Sequence, residues 1–147
     1  MSTSPFVIDR FDGEYEFLSN FYVQPRPCLM GGVEYPTVEH AFQAAKTTDA
    51  EKRAHIAQLP YAGQAKRAGR ALALRPGWDD MRVRVMHRLV AQKFSDPSMR
   101  ERLLATAPAE LIEGNTWGDR FWGQVDGVGE NYLGRILMTV RDARGEA

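Results

Sequence analysis

A series of helix boundaries runs through the middle of the chain and limits what it can fold into. From residue 37 to about residue 106, apolar side chains recur every three to four positions, which is the period of an amphipathic helix. Residues that cap or end helices interrupt this pattern at Pro36-Thr37, Asp49, Pro60, Arg75-Pro76-Gly77 and Ser95-Asp96-Pro97. These interruptions predict five short helices, over about 37–46, 49–59, 63–74, 78–94 and 96–106.

Short segments that favour β-structure lie on both sides of this helical region. Phe6–Ile8 and Tyr15–Phe17 flank the turn-like Asp12-Gly13 and predict a small hairpin or two short strands. Met30–Val33 predicts a turn that leads into a strand, which Pro36 ends.

The C-terminal part predicts one more strand and one more helix. Glu110–Glu113 is typical of a short buried strand, and a last helix is expected from about Asn131 to Arg141, followed by a frayed tail over Ala143–Ala147. We therefore expect an α+β protein that is mainly α-helical, with about six helices and a few short strands. The chain is expected to form one compact domain over residues 1–147, with its core at about 11–141.

The composition narrows the range of partners. Lys plus Arg and Asp plus Glu both number 19, so no net charge draws the whole protein to nucleic acid or membrane, and any nucleic-acid contact must be local. The N-terminus has no secretory signal pattern, and no apolar run approaches the ~20 residues of a membrane span. One cysteine, Cys28, excludes an internal disulfide, and the three histidines lack metal-ligand spacing. We expect a cytoplasmic protein that needs no metal or cofactor and no obligate protein partner.

The helix predicted at 37–46 carries two kinds of face. Its apolar stripe is formed by Val38, Ala41, Phe42 and Ala45. Glu39, Gln43 and Lys46 lie on another face, and Glu39 and Lys46 are two turns apart, roughly 10 Å along the axis. That spacing could bracket a small substrate, although a solvated surface is the commoner explanation for charged residues on a helix.

A loop rich in glycine and tryptophan lies at 114–123. Trp117 and Trp122 could stack on a planar base, and a glycine such as Gly123 would let a ligand approach closely. Asp119 lies between the tryptophans and could act as an acid, a base or an acceptor for a ribose hydroxyl. The alternative is a loop buried against helices, in which Asp119 caps a turn.

A basic cluster, Lys66, Arg67 and Arg70, lies opposite the alanine stripe of the third predicted helix. These side chains could bind phosphates, but a run of charges is more often simply solvated.

Six ordered blocks of sequence resemble the NADAR family, also called YbiA-like. They are FLSNF (17–21), EYPTVEHAFQAAK (34–46), AKRAGRAL (65–72), QKF (92–94), LIEGNTWGDRFWG (111–123) and GENYLGRILMTVR (129–141). Together they cover nearly the whole chain. The resemblance implies a compact, mainly helical α+β fold, no metal requirement and hydrolysis of an N-glycosidic bond.

The resemblance also implies which residues act. It places the family's functional residues at Glu39, Lys46, Asp119 and Trp122. The further candidates for substrate binding are Asn20, Phe21, Tyr35, Gln43, Lys66, Arg70, Trp117, Gly123, Asn131 and Gly134.

Three of these residues are candidates for catalysis. Glu39 and Asp119 could form the carboxylate pair that glycosidases use. Lys46 could attack the anomeric carbon as a neutral amine, or act only through its charge. His40, by contrast, is expected to be a structural hydrogen-bonding residue.

Three functions fit this set of residues. The first hypothesis is removal of ADP-ribose from modified guanine, including guanine in nucleic acid. The second is YbiA-like hydrolysis of reactive intermediates of riboflavin biosynthesis, which are ribosylaminopyrimidine phosphates. The stretch from Glu113 to Asp119 is one residue longer than in YbiA-like members, so the leaving base stays open. The third is a non-catalytic module that binds ADP-ribose or a nucleotide, although stacking alone would not need an acid, a base and an amine.

Overall fold

The structure, a computed structural model, describes residues 6–145. The α-helices in chain order are α1 (Val38–Ala45), α2 (Ala50–Gln58), α3 (Ala62–Arg70), α4 (Trp78–Lys93), α5 (Pro97–Leu104) and α6 (Tyr132–Gly145). The strands are β1 (Val7–Ile8), β2 (Cys28–Met30), β3 (Val33–Tyr35) and β4 (Glu110–Leu111), and a 3₁₀-helix covers Gly13–Leu18. The predicted fold class, mainly helical α+β with about six helices and a few short strands, is confirmed.

The chain divides into two compact units. Asn20–Lys93 form the first, called here the helical unit, and residues 6–19 and 94–145 belong to the second, called here the terminal unit. The prediction of a single domain stays a prediction. No helix within residues 6–145 is long and apolar enough to span a membrane.

Helix α1 is the centre of the helical unit. It packs against α2, α3 and α4, and all eight of its residues are buried. It begins where the sequence predicts, because the Thr37 hydroxyl accepts a hydrogen bond from the His40 backbone N–H at 3.1 Å. On the α4 side, the rings of Phe42 and Trp78 lie 5.2 Å apart between centroids.

Strands β2 and β3 form a hairpin, of which the sequence predicts the turn and β3 but not β2. They pair antiparallel, with Met30 opposite Val33. The two residues between them, Gly31 and Gly32, have φ angles of 57° and 78°. Such a turn needs positive φ at both central positions, which glycine adopts without strain.

The predicted cap of α2 is confirmed, whereas α3 is shorter than expected. Asp49 accepts from the Lys52 backbone N–H at 3.0 Å at the start of α2. Helix α3 was expected to reach Leu74, but it ends at Arg70. The reason is tertiary, because the Arg75 N–H donates to the carbonyl of Lys46 at 2.8 Å and so turns the chain away from the helical path.

Of the hairpin or two short strands predicted near the N-terminus, only the strand at Val7–Ile8 is confirmed. Val7–Ile8 pair in parallel with Glu110–Leu111, about a hundred residues away, and Tyr15–Phe17 belong to the 3₁₀-helix. Phe17 and Leu18 are both buried, whereas neighbouring side chains of a strand point to opposite faces. The strand expected at Glu110–Glu113 is limited to its first two residues.

Helix α6 continues past its predicted end. Arg141 is buried and donates to the Thr106 hydroxyl at 3.0 Å and to the Ala109 carbonyl at 2.8 Å. These bonds anchor the last turns of α6, so residues 143–145 are helical rather than frayed. The rest of the predicted tail lies outside the described residues.

Candidate functional site

The polar face of α1 is buried rather than solvated. Glu39 is 7% exposed and Gln43 is 5% exposed, while Lys46, just beyond the helix, is half-buried. The solvated-face explanation is therefore wrong for the first two. Buried polar and charged groups are costly unless they find partners, so this face requires a specific arrangement around it.

Glu39 and Gln43 are linked directly. The Gln43 amide Nε2 donates to the Glu39 carboxylate Oε1 at 2.8 Å, across one helical turn. The backbone N–H of Glu39 donates to the carbonyl of Asn20 at 3.0 Å, so the backbone of a further predicted residue is joined to the first turn of α1. Asn20 also contacts α4, because its amide lies 3.5 Å from the sulfur of Met86.

The environment of Lys46 lowers the pKa of its amine. Burial is the largest cause, and the negative charge of Glu39 opposes it by raising the pKa. The cations of Arg70, Arg82 and Lys66 then lower the pKa further. An amine with a lowered pKa is more often neutral near pH 7 and can act as a nucleophile.

Arg82 is a residue that the sequence reading missed. It lies on α4 between Trp78, which contacts Phe42, and Met86, which contacts Asn20. Residues at spacings of four share one face of a helix, so Arg82 belongs to the α4 face that packs towards α1. That spacing was visible in the sequence, but nothing in it indicated that this face meets Lys46.

His40 has the structural role that the sequence reading gave it. Its Nε2 lies 2.9 Å from the Leu59 carbonyl, and its Nδ1 lies 2.7 Å from the Thr37 hydroxyl. A carbonyl oxygen only accepts, so Nε2 carries the proton and Nδ1 accepts from Thr37. Burial lowers the pKa of the ring, which favours this neutral form.

Asp119 caps a turn within the terminal unit. Its Oδ1 accepts from the backbone N–H of Phe121 at 3.0 Å and from that of Trp122 at 2.9 Å. The side chain of Asn115 holds the same residue through the Asp119 N–H and carbonyl, at 3.0 and 2.8 Å. The turn-capping alternative is therefore realised, whereas the catalytic role of Asp119 and its pairing with Glu39 stay predictions.

The two tryptophans of the loop have different surroundings. Trp117 is 61% exposed, so its ring is open to solvent. Trp122 is half-buried, with its ring 4.7 Å from that of Phe121 and 6.4 Å from that of Tyr132. Phe21, in the helical unit, is a further exposed aromatic candidate at 46%.

Three candidates of the terminal unit serve its packing. Asn131 accepts from the Glu113 N–H and donates to the Leu111 carbonyl, both at 2.9 Å. A Cβ at Gly134 would collide with that same carbonyl, and one at Gly123 would collide with the carbonyl of Glu113. In the helical unit, Tyr35 is likewise committed to packing, because it is 0% exposed.

The predicted residues thus form two groups. Asn20, Glu39, Gln43, Lys46, Lys66 and Arg70 belong to the helical unit, where the structure adds Arg82. Trp117, Asp119, Trp122 and Gly123 belong to the terminal unit. Among the described residues, no group of three or more His, Cys, Asp or Glu side chains could hold a metal ion.

This mainly helical α+β fold is also found in a solved protein. The NMR structure of the E. coli protein YbiA matches with a TM-score of 0.81 and 35% identity, over 96% of this chain and 86% of that chain. The model of the NADAR domain matches residues 7–143, and the chain belongs to the NADAR family.

Two named relatives support the same assignment. N-glycosidase YbiA of Escherichia coli (strain K12) is 38% identical over 133 residues, which are 88% of this chain and 81% of the relative. Riboflavin biosynthesis protein VVA0006 of Vibrio vulnificus (strain YJ016) is 39% identical over 135 residues, which are 89% of this chain and 36% of the relative. The family resemblance read from the six sequence blocks is confirmed.

Proposed function

We propose that this protein hydrolyses the N-glycosidic bond of a phosphorylated ribosyl compound whose leaving base is an aminopyrimidine. The reaction class follows from the family: the protein is an enzyme that acts on N-glycosyl compounds, like its relatives named N-glycosidase. The observation that supports the site is the half-buried amine of Lys46, whose pKa responds to the charge of Glu39 and to three cations.

Breaking an N-glycosidic bond has two chemical requirements. Positive charge develops at the anomeric carbon, and the departing nitrogen must receive a proton. Glu39 can serve both, because an ionised carboxylate stabilises the positive charge and a protonated one supplies the proton. Its charge already acts on Lys46 by raising the pKa of the amine.

The proposed reaction needs only these two side chains and one water molecule. Glu39 takes a proton from the Lys46 ammonium, and the neutral amine attacks the anomeric carbon while Glu39 returns the proton to the leaving base. The ribosylated amine passes a proton to Glu39, which delivers it to the ring oxygen as the sugar ring opens to a protonated imine. Water adds to the imine carbon, the bond to Lys46 breaks, and ribose phosphate leaves.

The cations around Lys46 suit a phosphorylated sugar. Lys66 and Arg70 extend from α3 and Arg82 from α4, and all three act on the same amine. Arginine in particular binds phosphate through paired N–H groups. A bound phosphate would offset part of their effect on Lys46, and burial would then be the main cause that still lowers the pKa of the amine in the complex.

The names of the relatives favour the aminopyrimidine as leaving base. VVA0006 is named a riboflavin biosynthesis protein, and 36% of it matches this chain. The hypothesis placed first from the sequence, removal of ADP-ribose from guanine, becomes the second candidate. The exposed indole of Trp117 favours it, because a stacking surface open to solvent suits a base presented by nucleic acid.

The test is a competition between the two substrates. Purified protein receives a ribosylaminopyrimidine phosphate and an ADP-ribosylated guanine oligonucleotide in H₂¹⁸O, and mass spectrometry follows both products. We expect free aminopyrimidine and ribose phosphate that carries one ¹⁸O at the anomeric position. Release of guanine-bearing oligonucleotide and ADP-ribose would instead establish the second candidate. Binding of ADP-ribose with no turnover of either substrate would show a non-catalytic module.

A further inference from the structure

Gly69 of helix α3 packs against the side-chain amide of Gln43. Any side chain at position 69 would collide with that amide. Gly69 is buried, and a Cβ built there would overlap the Gln43 Oε1 and Cδ atoms. Glycine is a poor helix former, and the φ angle of Gly69 is not one that requires it. Close packing of α3 on α1 therefore accounts for glycine at this position.

The orientation of the Gln43 amide follows from its other neighbour. Its Nε2 faces the Glu39 carboxylate, which accepts hydrogen bonds but cannot donate them while ionised. The Oε1 must then face α3, where it is buried and accepts no hydrogen bond from any described residue. An amide held in this way always presents a donor to Glu39, and a hydrogen bond donated to a carboxylate favours its ionised form.

We infer that Gln43 is a positioning residue, seated against Gly69, that holds the Glu39 carboxylate ionised and in one orientation. This role differs from the substrate contact that the sequence predicts for Gln43. The inference rests on the proposed function, in which Glu39 moves the proton between Lys46 and the leaving base. A carboxylate that must reach two partners in turn benefits from a fixed starting position.

Two glycines of α3 provide a matched test. Gly63 is exposed, and a Cβ there would meet nothing within 4 Å, so Gly63→Ala changes helix propensity alone. Gly69→Ala makes the same change in propensity but also displaces Gln43. We expect Gly69→Ala to lower kcat about tenfold or more with little change in KM, whereas Gly63→Ala keeps both values. Equal kcat in the two variants would overturn the inference.

A double-variant cycle separates displacement of Gln43 from general damage to α3. In a Gln43→Ala background there is no amide to displace, so Gly69→Ala should cause no further loss of kcat. The acid limb of the kcat–pH profile should move to higher pH in Gln43→Leu and in Gly69→Ala, because the ionised carboxylate loses its donor. Independent losses in the cycle, or an acid limb that does not move, would contradict the positioning role.

A measurement that does not depend on turnover can test this inference independently of the proposed function. The Glu39 side-chain carboxyl can be followed by ¹³C NMR while the pH of the wild type and of Gln43→Leu is varied. We expect the titration midpoint of Glu39 to be about one pH unit higher in Gln43→Leu. An equal midpoint would overturn the inference even in an active enzyme. A shifted midpoint in a protein that turns over neither substrate would support it while the proposed reaction fails.

Discussion

The amine of Lys46 lies over the ring of Phe42, with Nζ 5.9 Å from the ring centroid. Phe42 in turn packs on Trp78, so an aromatic surface covers one side of the lysine. An aromatic face attracts a cation, but it also replaces water, and burial is the largest cause of the lowered pKa of Lys46. The aromatic pair is therefore part of what makes this lysine suitable as a nucleophile.

The first prediction concerns this amine. Lys46→Ala should lower kcat by at least about 10²-fold, because no other group replaces the nucleophile. Lys52→Ala, at an exposed position of α2, is the control and should keep activity. Borohydride added during turnover should trap a ribosyl phosphate adduct on Lys46 in the wild type, located by peptide mass spectrometry. Near wild-type turnover in Lys46→Ala, with no adduct, would rule out the imine.

The second prediction concerns the cations near Lys46. Arg82 lowers the pKa of the amine, so Arg82→Gln should raise it and reduce the neutral fraction at pH 7. The fall of kcat at high pH, where the Lys46 ammonium that supplies the proton for the leaving base is lost, should then move to higher pH, by roughly half a unit to one unit. Arg84→Gln is the matched control, since Arg84 is an exposed residue of the same helix. A profile of Arg82→Gln that overlays the control would show that Arg82 does not tune Lys46.

The limits of the sequence reading are clear at α1. Its start at Thr37 and its apolar stripe were predictable, because capping and periodicity are properties of neighbouring residues. Burial of Glu39 and Gln43 was not, since it depends on α2, α3 and α4 surrounding α1. The periodicity of a single helix contains no information about how many neighbours it has.

The same limit explains the other differences. The parallel pairing of Val7–Ile8 with Glu110–Leu111 joins distant segments, and short β-favouring runs do not specify their partners. Arg82 was missed for a similar reason, because its importance comes from Lys46 on another helix. The family resemblance predicts functional residues that periodicity could not, but it did not indicate that Gly69 packs against Gln43.

The third prediction concerns His40 and stability. Burial lowers the pKa of His40 in the folded protein below its ordinary value of 6.5. As the pH falls below about 6.5, the unfolded chain binds a proton that the folded chain excludes, so the free energy of unfolding decreases, by at most about 1.4 kcal/mol per pH unit. Above about pH 6.5 the contribution of His40 to the free energy of unfolding is fully present. No further stability is lost once the pH falls below the pKa of His40 in the folded protein.

Urea unfolding followed from pH 5 to pH 8 measures this effect. His40→Gln should flatten the dependence on pH, although it will itself lower stability because His40 is buried. His55→Gln, at an exposed position of α2, should keep the wild-type slope. If the slopes of the wild type and His40→Gln agree, His40 is not the titrating group.

The fourth prediction separates packing from substrate binding at Gly134. A Cβ at Gly134 would collide with the Leu111 carbonyl and with the side chain of Asn131. Gly134→Ala should therefore lower the free energy of unfolding by about 1–3 kcal/mol. Gly145→Ala on the same helix is the control, because a Cβ there would meet Leu104 only at 3.6 Å. An unchanged urea midpoint with a raised KM would show a substrate contact instead.

The last prediction separates the two roles of Asp119. Asparagine also offers an Oδ1 acceptor to the N–H groups of Phe121 and Trp122, so Asp119→Asn should keep the turn and the wild-type stability. Asp119→Ala removes the acceptor and should lower the free energy of unfolding by about 1–3 kcal/mol, because two N–H groups lose their partner. If the charge of Asp119 takes part in the reaction, Asp119→Asn should lower kcat about tenfold or more at unchanged stability, and this is the result we expect. Full turnover in Asp119→Asn, together with the stability loss in Asp119→Ala, would assign Asp119 to the turn alone.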